Sequence, residues 1–324
     1  MALNAKTIKN RIKSVKNTKK ITKAMEMVSA AKMRKAIESA TATRHYAQYA
    51  RELFEHLSHL NEPNEPLLEQ REVKKALLVL ITSNRGLCGS LNSSVLKRAG
   101  EQLKQFGSDV LVDVLGIGKK SSLFAKRNEL ELVSVYDELG ERPQYEGVLP
   151  IAKQIIDGFL DGTYDKVEVI YTHFESALKQ SPRSVQLLPM NKETLSSIEA
   201  TLDEGEKDIE FPIEQYIFEP DLEDVIHYVI PRLIETALYH GVLESAASEH
   251  SARMVAMKNA SEAAGDMIDN LNTVYNTARQ AAITQEIAEI AGGAAALQET
   301  RDEGLVTRAI KNLVSPACRQ ARCP

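Results

Sequence analysis

Residues 1–60 contain neither Gly nor Pro, and residues 222–297 contain one Pro and four Gly, whereas 61–220 hold 19 of the chain's 27. Because these two residues punctuate turns, a breaker-poor stretch at each end predicts two very long helices around a turn-rich middle. The first helix starts beside Asn4, a suitable N-cap. Its apolar stripe runs through Ile8, Ile12 and Val15, then on a slightly shifted face through Ile21, Met25 and Val28. It continues through Met33, Ile37, Tyr46, Leu53, Phe54 and Leu57. Residues 61–66 (NEPNEP) end it, since no helix interior accepts two prolines there. Some 55 residues at a rise of about 1.5 Å make a rod of roughly 80 Å.

The second helix is expected over 222–297. Val225, Ile226, Val229, Leu233 and Ile234 open it, with a kink at Pro231. From Ala260 the seam reads Ala260, Ala264, Met267, Leu271, Val274, Ala278, Ala281, in alternating steps of four and three. That is a coiled-coil pattern built from unusually small side chains. The first 45 residues carry 12 Lys and Arg against two acids, while 222–297 carry four basic and ten acidic residues. Opposite charge and continuous apolar stripes favour pairing of the two helices over two solvent-exposed arms.

Between them, strands are expected at 73–83, 110–116, 130–136, 166–172, 185–189 and 216–218. Helices are expected to open after 84–92, at 119–126 and at 148–160. Alternation of this kind implies an open, mainly parallel α/β sheet. The longest aliphatic run, 76–81, is far short of the roughly 20 residues of a membrane span. Three cysteines among 324 residues exclude a disulfide scaffold. After Leu297 the heptad is lost; residues 298–324 read as a mobile or weakly packed tail.

Several fragments resemble enzyme motifs. Residues 116–121 (GIGKKS) fail as a phosphate loop, because Asp113 stands where its first Gly is needed and Lys120 where Ser or Thr must follow the Lys. Cys88 sits in a strand-to-helix turn, with His173 at another strand end as a possible base. That pair defines one open alternative, a free-standing α/β enzyme. His56 and His59 at i, i+3, and Cys318 with Cys323, lack further ligands for a metal. The basic arm spreads its lysines around the helix without interleaved aromatics, a weak nucleic-acid signature. Its Lys bias and unbroken helix also argue against a cleaved mitochondrial presequence.

Three segments resemble one family, the γ subunit of rotary F-type ATP synthases. They are residues 17–35 (NTKKITKAMEMVSAAKMRK), residues 83–89 (SNRGLCG), and the pair 248–260 (SEHSARMVAMKNA) and 275–287 (YNTARQAAITQEI). The resemblance covers about 1–297 and implies a fold: an antiparallel coiled coil of the N- and C-terminal helices with a Rossmann-like α/β domain at its base. It divides the chain into 1–60 (shaft helix), 72–219 (α/β domain), 222–297 (shaft helix) and 298–324 (tail). It implies a central rotor that couples proton flow to ATP synthesis or hydrolysis on β subunits, and regulates both, without catalytic residues, cofactor or metal of its own. The implied partners are the α and β subunits, the ε subunit and the c-ring, with no nucleic acid. Lys23 and Met25 would face the β lever segments, and Arg279, Gln280, Thr284 and Glu286 would form a catch near the C-terminal helix end. The implied location is the cytoplasmic side of a bacterial inner membrane, held peripherally through the complex.

Overall fold

A computed structural model describes residues 5–58, 65–107, 109–137, 139, 143–190 and 222–314. The elements are α1 (Ala5–Ser58), a 3-10 turn (Pro66–Leu68), β1 (Lys75–Ile81), α2 (Leu91–Phe106), β2 (Leu111–Ile117), α3 (Ser121–Arg127), β3 (Glu131–Tyr136), α4 (Tyr145–Leu160), β4 (Lys166–Phe174), β5 (Gln180–Leu188) and α5 (Leu222–Val314). The expected strand at 216–218, the tail cysteines and the side chains of His56 and His59 lie outside the described residues. The chain divides into two compact units, residues 22–260 and residues 1–21 with 261–324.

In the larger unit one five-stranded sheet runs β3-β2-β1-β4-β5. The first four strands are parallel and β5 returns antiparallel to β4. The central strand β1 is buried on both faces, which is why KALLVLI reads as a continuous apolar run rather than an alternation. On one face Leu78, Leu80, Val114 and Ile170 pack against Val95 and Ala99 of α2 and Phe124 of α3. On the other, Leu77, Val79, Ile117 and Tyr171 meet Ile151, Ile155 and Phe159 of α4 and Ile226, Ile230, Ile234 and Leu238 of α5. Helices α2 and α3 therefore cover one face and α4 the other, and the chain changes sides between β1 and β4.

Both expected long helices form, but their buried lines differ from those read in the sequence. In the larger unit the buried positions of α1 are Thr22, Ser29 and Ala36, while Met27 and Val28 are exposed, as is Ile21 in the smaller unit. Ala36 meets Ala246 and Ala247 of α5. Close approach of two backbones selects small side chains at the contact and leaves larger ones outside. In the smaller unit Ile8 and Ile12 pack on Ile268, with Val15, Leu271, Tyr275 and Ala278 around them. Lys19 reaches Gly265, so progress along α1 matches retreat along α5, and the pair is antiparallel. Two expected seam residues, Met267 and Val274, are 48% and 45% exposed, and their successors Ile268 and Tyr275 face the partner instead. Helix α5 passes through Pro231 and Gly292-Gly293 and runs to Val314, beyond the expected boundary at Leu297. No proline occurs between Pro231 and Pro316 to stop it.

Candidate functional site

The β1–α2 turn carries the SNRGLCG segment. Leu87 and Gly89 both take positive φ, 64° and 61°. Asn92, on the first turn of α2, holds the loop: its Oδ1 accepts from Ser83 N at 3.0 Å, and its Nδ2 donates to Ser83 Oγ at 2.7 Å and Cys88 Sγ at 3.2 Å. Ser83 Oγ in turn donates to Arg85 O at 2.7 Å.

Helix α5 fastens onto this end of the sheet through the SEHSARMVAMKNA segment. Arg253 donates to Gly86 O at 3.3 Å and pairs with Glu249 at 2.6 Å, both side chains being buried. Ser248 Oγ donates to Thr172 O, Ser251 Oγ to Ala177 O, and Ser245 Oγ accepts from Thr172 N. Serine suits each place because a short hydroxyl satisfies a strand-end backbone group without separating helix and sheet. Two of the three resembling segments thus meet directly, and most of their polar residues are fasteners. Sequence reasoning missed this role; its only trace was the density of serines in an otherwise Ala-rich helix.

Cys88 and His173 are not brought together. Neighbouring strand residues point to opposite faces. Thr172 lines the same cavity as Cys88, so His173 points away, where its Nδ1 lies 2.9 Å from Glu244 Oε2. The enzyme alternative loses its base. The GIGKKS turn is also occupied: Ser121 N donates to Thr82 Oγ1 and Ser121 Oγ to Gly118 O. A Cβ on Gly118 would stand 2.0 Å from Thr82 O, so that glycine permits close approach of backbone. Among the described residues no group of His, Cys, Asp and Glu is arranged to hold a metal.

A charge cluster around the buried Asp113 sits at the other end of β2. Lys75 Nζ and Tyr164 Oη lie 2.8 and 3.2 Å from Asp113 Oδ2. Burial, and then the Asp113 charge, push the Tyr164 phenol up to about 12. The hydrogen bond to Asp113 raises Lys75 despite desolvation. Asp113, the residue that spoiled the phosphate-loop pattern, is thus a structural counter-ion.

Lys23 is exposed and paired with Glu26 at 2.9 Å, and Met25 is half-buried beside it, both in the larger unit. Arg279, Gln280, Thr284 and Glu286 belong to the smaller unit and are all exposed. At about 100° per residue, Arg279 and Glu286 share one face and Gln280 and Thr284 another. Thr284 Oγ1 donates back to the Gln280 backbone carbonyl at 2.9 Å, so this hydroxyl is turned onto its own helix. Every described side chain from Arg279 to Ala295 is exposed. That stretch, extended to Leu297, carries a stripe absent from the expected set: Ile283, Ile287, Ile290 and Leu297, within about 80° of one another. Ile290 and Leu297 are each 73% exposed. Single exposed aliphatics are ordinary, but four aligned on one helix form an apolar stripe on the surface.

A profile of the ATP synthase family matches residues 4–297. The chain belongs to that family, as a γ chain. It is 43% identical over 299 residues to the ATP synthase gamma chain of Chloroflexus aurantiacus, covering 91% of this chain and 99% of the relative. With the gamma chain of Xanthomonas oryzae pv. oryzae it shares 41% over 293 residues, 90% and 98% of the two chains. Among solved structures it is similar to the central stalk and c-ring of Tetrahymena thermophila mitochondrial ATP synthase. That likeness has a TM-score of 0.53 at 28% identity, covering 74% of this chain and 99% of the other. It shares its fold with the rotor of the Euglena gracilis mitochondrial enzyme, at a TM-score of 0.60 and 18% identity over 86% and 98% of the chains. The chain is a non-catalytic rotor subunit of the central stalk of an F1Fo ATP synthase, and ATP is made or hydrolysed on the β subunits.

Proposed function

We propose that the segment from Arg279 to Leu297 is the part of this rotor that bears on the ring of α and β subunits, and that Lys23 and Met25 meet the β lever segments. The single observation that carries this is the stretch after Ala278, exposed at every described side chain from Arg279 to Ala295, with its stripe of Ile283, Ile287, Ile290 and Leu297. A turning contact needs a low, apolar ridge that slides, with few polar groups beside it that engage and release. Arg279 with Glu286, and Gln280 with Thr284, supply two such sets on adjoining faces. The polar fastening of α5 to the sheet by Ser245, Ser248, Ser251 and Arg253 suits torque passing from the α/β domain into the helix.

The ε subunit and the c-ring are this chain's further partners in the central stalk. The complex would lie on the cytoplasmic face of a bacterial inner membrane, this chain being held there only through its partners. In support, no helix among the described residues is long and apolar enough to cross a membrane, and the relatives named above at 41–43% identity are bacterial.

Deleting residues 279–297 tests the contact role. The expected result is a folded α/β domain by far-UV circular dichroism, with loss of coupled ATP synthesis or of the assembled 3:3:1 α:β:γ complex. Unchanged synthesis and proton coupling would sink it.

A further inference from the structure

Helix α5 carries glycines at 241, 265, 292, 293 and 304. In a helix interior each one costs stability relative to alanine, because it has the most backbone freedom to lose. Gly241 and Gly265 each face a neighbour. A Cβ on Gly241 would lie 3.6 Å from Ile81 and Tyr171, and one on Gly265 would lie 2.9 Å from Lys19 Nζ. Gly292 and Gly293 are different. A Cβ on either would meet no described neighbour within 4 Å. Neither has the positive φ of Gly89, Gly107, Gly118 and Gly162. They do not cap the helix, since α5 runs on to Val314. Close approach to a described residue, a left-handed backbone and a helix end are the usual grounds for glycine, and none applies here.

The surroundings weaken the same place. Tyr275 and Ala278 are the last residues of α5 in the apolar cluster with α1, and every described side chain from Arg279 to Ala295 is exposed. The glycine pair thus stands about 20 Å beyond that cluster, at 1.5 Å per residue. An exposed helix draws support from side-chain pairs at i, i+3 and i, i+4. Gln285 donates to Glu289 at 2.9 Å shortly before the glycines. Residues 291–296 read AGGAAA, however, so every such pair that bridges the two glycines contains an alanine. The backbone hydrogen bonds of this turn stand in water with little side-chain cover. Gly304 is also in the open, but it is single, with Glu303 and Leu305 on either side.

Long helices bend sharply at prolines and at pairs of small residues such as glycine. Segments with few apolar contacts and solvated hydrogen bonds open first. We infer that Gly292-Gly293 is a flexible joint, where α5 opens locally and the segment from Ala294 to Val314 swings relative to the stretch before it. Bending there leaves Arg279–Ile290 in line with the part of α5 that pairs with α1. It keeps loads on the helix beyond residue 297, where the family match ends, from reaching that part. The joint does not depend on what Arg279–Leu297 touches, so it stands or falls apart from the contacts proposed above.

Hydrogen exchange of the full chain, read peptide by peptide and corrected for intrinsic rates, tests this. Amides of 290–297 should be the least protected in the helix after Ala278, below both 279–288 and 299–310. Gly292→Ala together with Gly293→Ala should remove that minimum, slowing those amides by about tenfold or more. Spin labels at Ala282→Cys and Arg308→Cys read the bend directly. Both positions are exposed, Cys88 is buried, and Cys318→Ser with Cys323→Ser leaves no other exposed thiol. A straight helix sets the labelled backbone positions about 39 Å apart. The joint spreads the measured distances below that value, and the double alanine variant narrows them back onto it. Protection that is uniform, or that falls steadily towards Val314 as in simple fraying, overturns the inference. So does a narrow distribution at the straight-helix distance in the parent chain.

Discussion

Arg253 shows how much one residue can hold. Its guanidinium joins Glu249 on its own helix to the Gly86 carbonyl of the β1–α2 turn, with both charges removed from water. Arg253→Met leaves the Glu249 carboxylate buried without that guanidinium, which costs about 3–5 kcal/mol. In urea denaturation the midpoint should fall accordingly, and adding Glu249→Leu should restore much of it, since two apolar residues replace a buried pair at little cost. Tyr164 makes a second prediction, on pH. Its phenol is held neutral up to about 12, whereas in the unfolded chain it ionises near about 10. Between those values the unfolded state binds fewer protons, so stability falls as pH rises. Lys75, raised by Asp113, adds the same sign: its contribution is complete below the unfolded value and lost as pH climbs through the folded one. Thermal midpoints measured through that alkaline window should decline, and Tyr164→Phe should flatten the decline.

At the scale of elements, what could be read from sequence was type and order, and what could not was azimuth. Breakers alone located both long helices, and the βα alternation located the sheet, because Gly and Pro act through local backbone geometry. The seam of α5 was another matter. The expected and the observed seams share Ala264, Leu271 and Ala278, and differ by one position between them. Met267 and Ile268 are equally apolar, so only the partner helix decides which turns inward. Likewise Thr22 and Ser29 are buried in α1 for their size, which a hydrophobic pattern does not register. The stripe of Ile283, Ile287, Ile290 and Leu297 had a helical spacing in the sequence, but only its exposure in the fold makes it a surface. Gly265 belongs to the same argument. A Cβ there would meet only the tip of Lys19, with Nζ at 2.9 Å, which can move aside. Gly265→Ala should therefore stabilise the helix pair by about 0.5–1 kcal/mol through helix propensity alone, read as a higher denaturation midpoint.

At the scale of the whole chain, the family match ends at residue 297, while α5 continues as helix to Val314. The Chloroflexus relative is covered over 99% of its length by 91% of this chain, and residues 298–324 lie beyond the family match. Their composition supports the distinction. Up to Leu297 the segment is Ala-rich and apolar along one stripe, as a sliding contact requires. Beyond it come Glu299, Arg301, Asp302 and Glu303 in close succession, a run of charge ill-suited to an apolar bearing. The 17 helical residues from Gln298 to Val314 add about 25 Å of rod at 1.5 Å each. A chain ending at Leu297 should therefore assemble with α and β in the same 3:3:1 ratio and support ATP synthesis at the full-length rate. Proton pumping coupled to ATP hydrolysis in membrane vesicles is the measurement that separates the two outcomes. If pumping is lost while hydrolysis continues, the extension carries torque and the working rotor is longer than the family match.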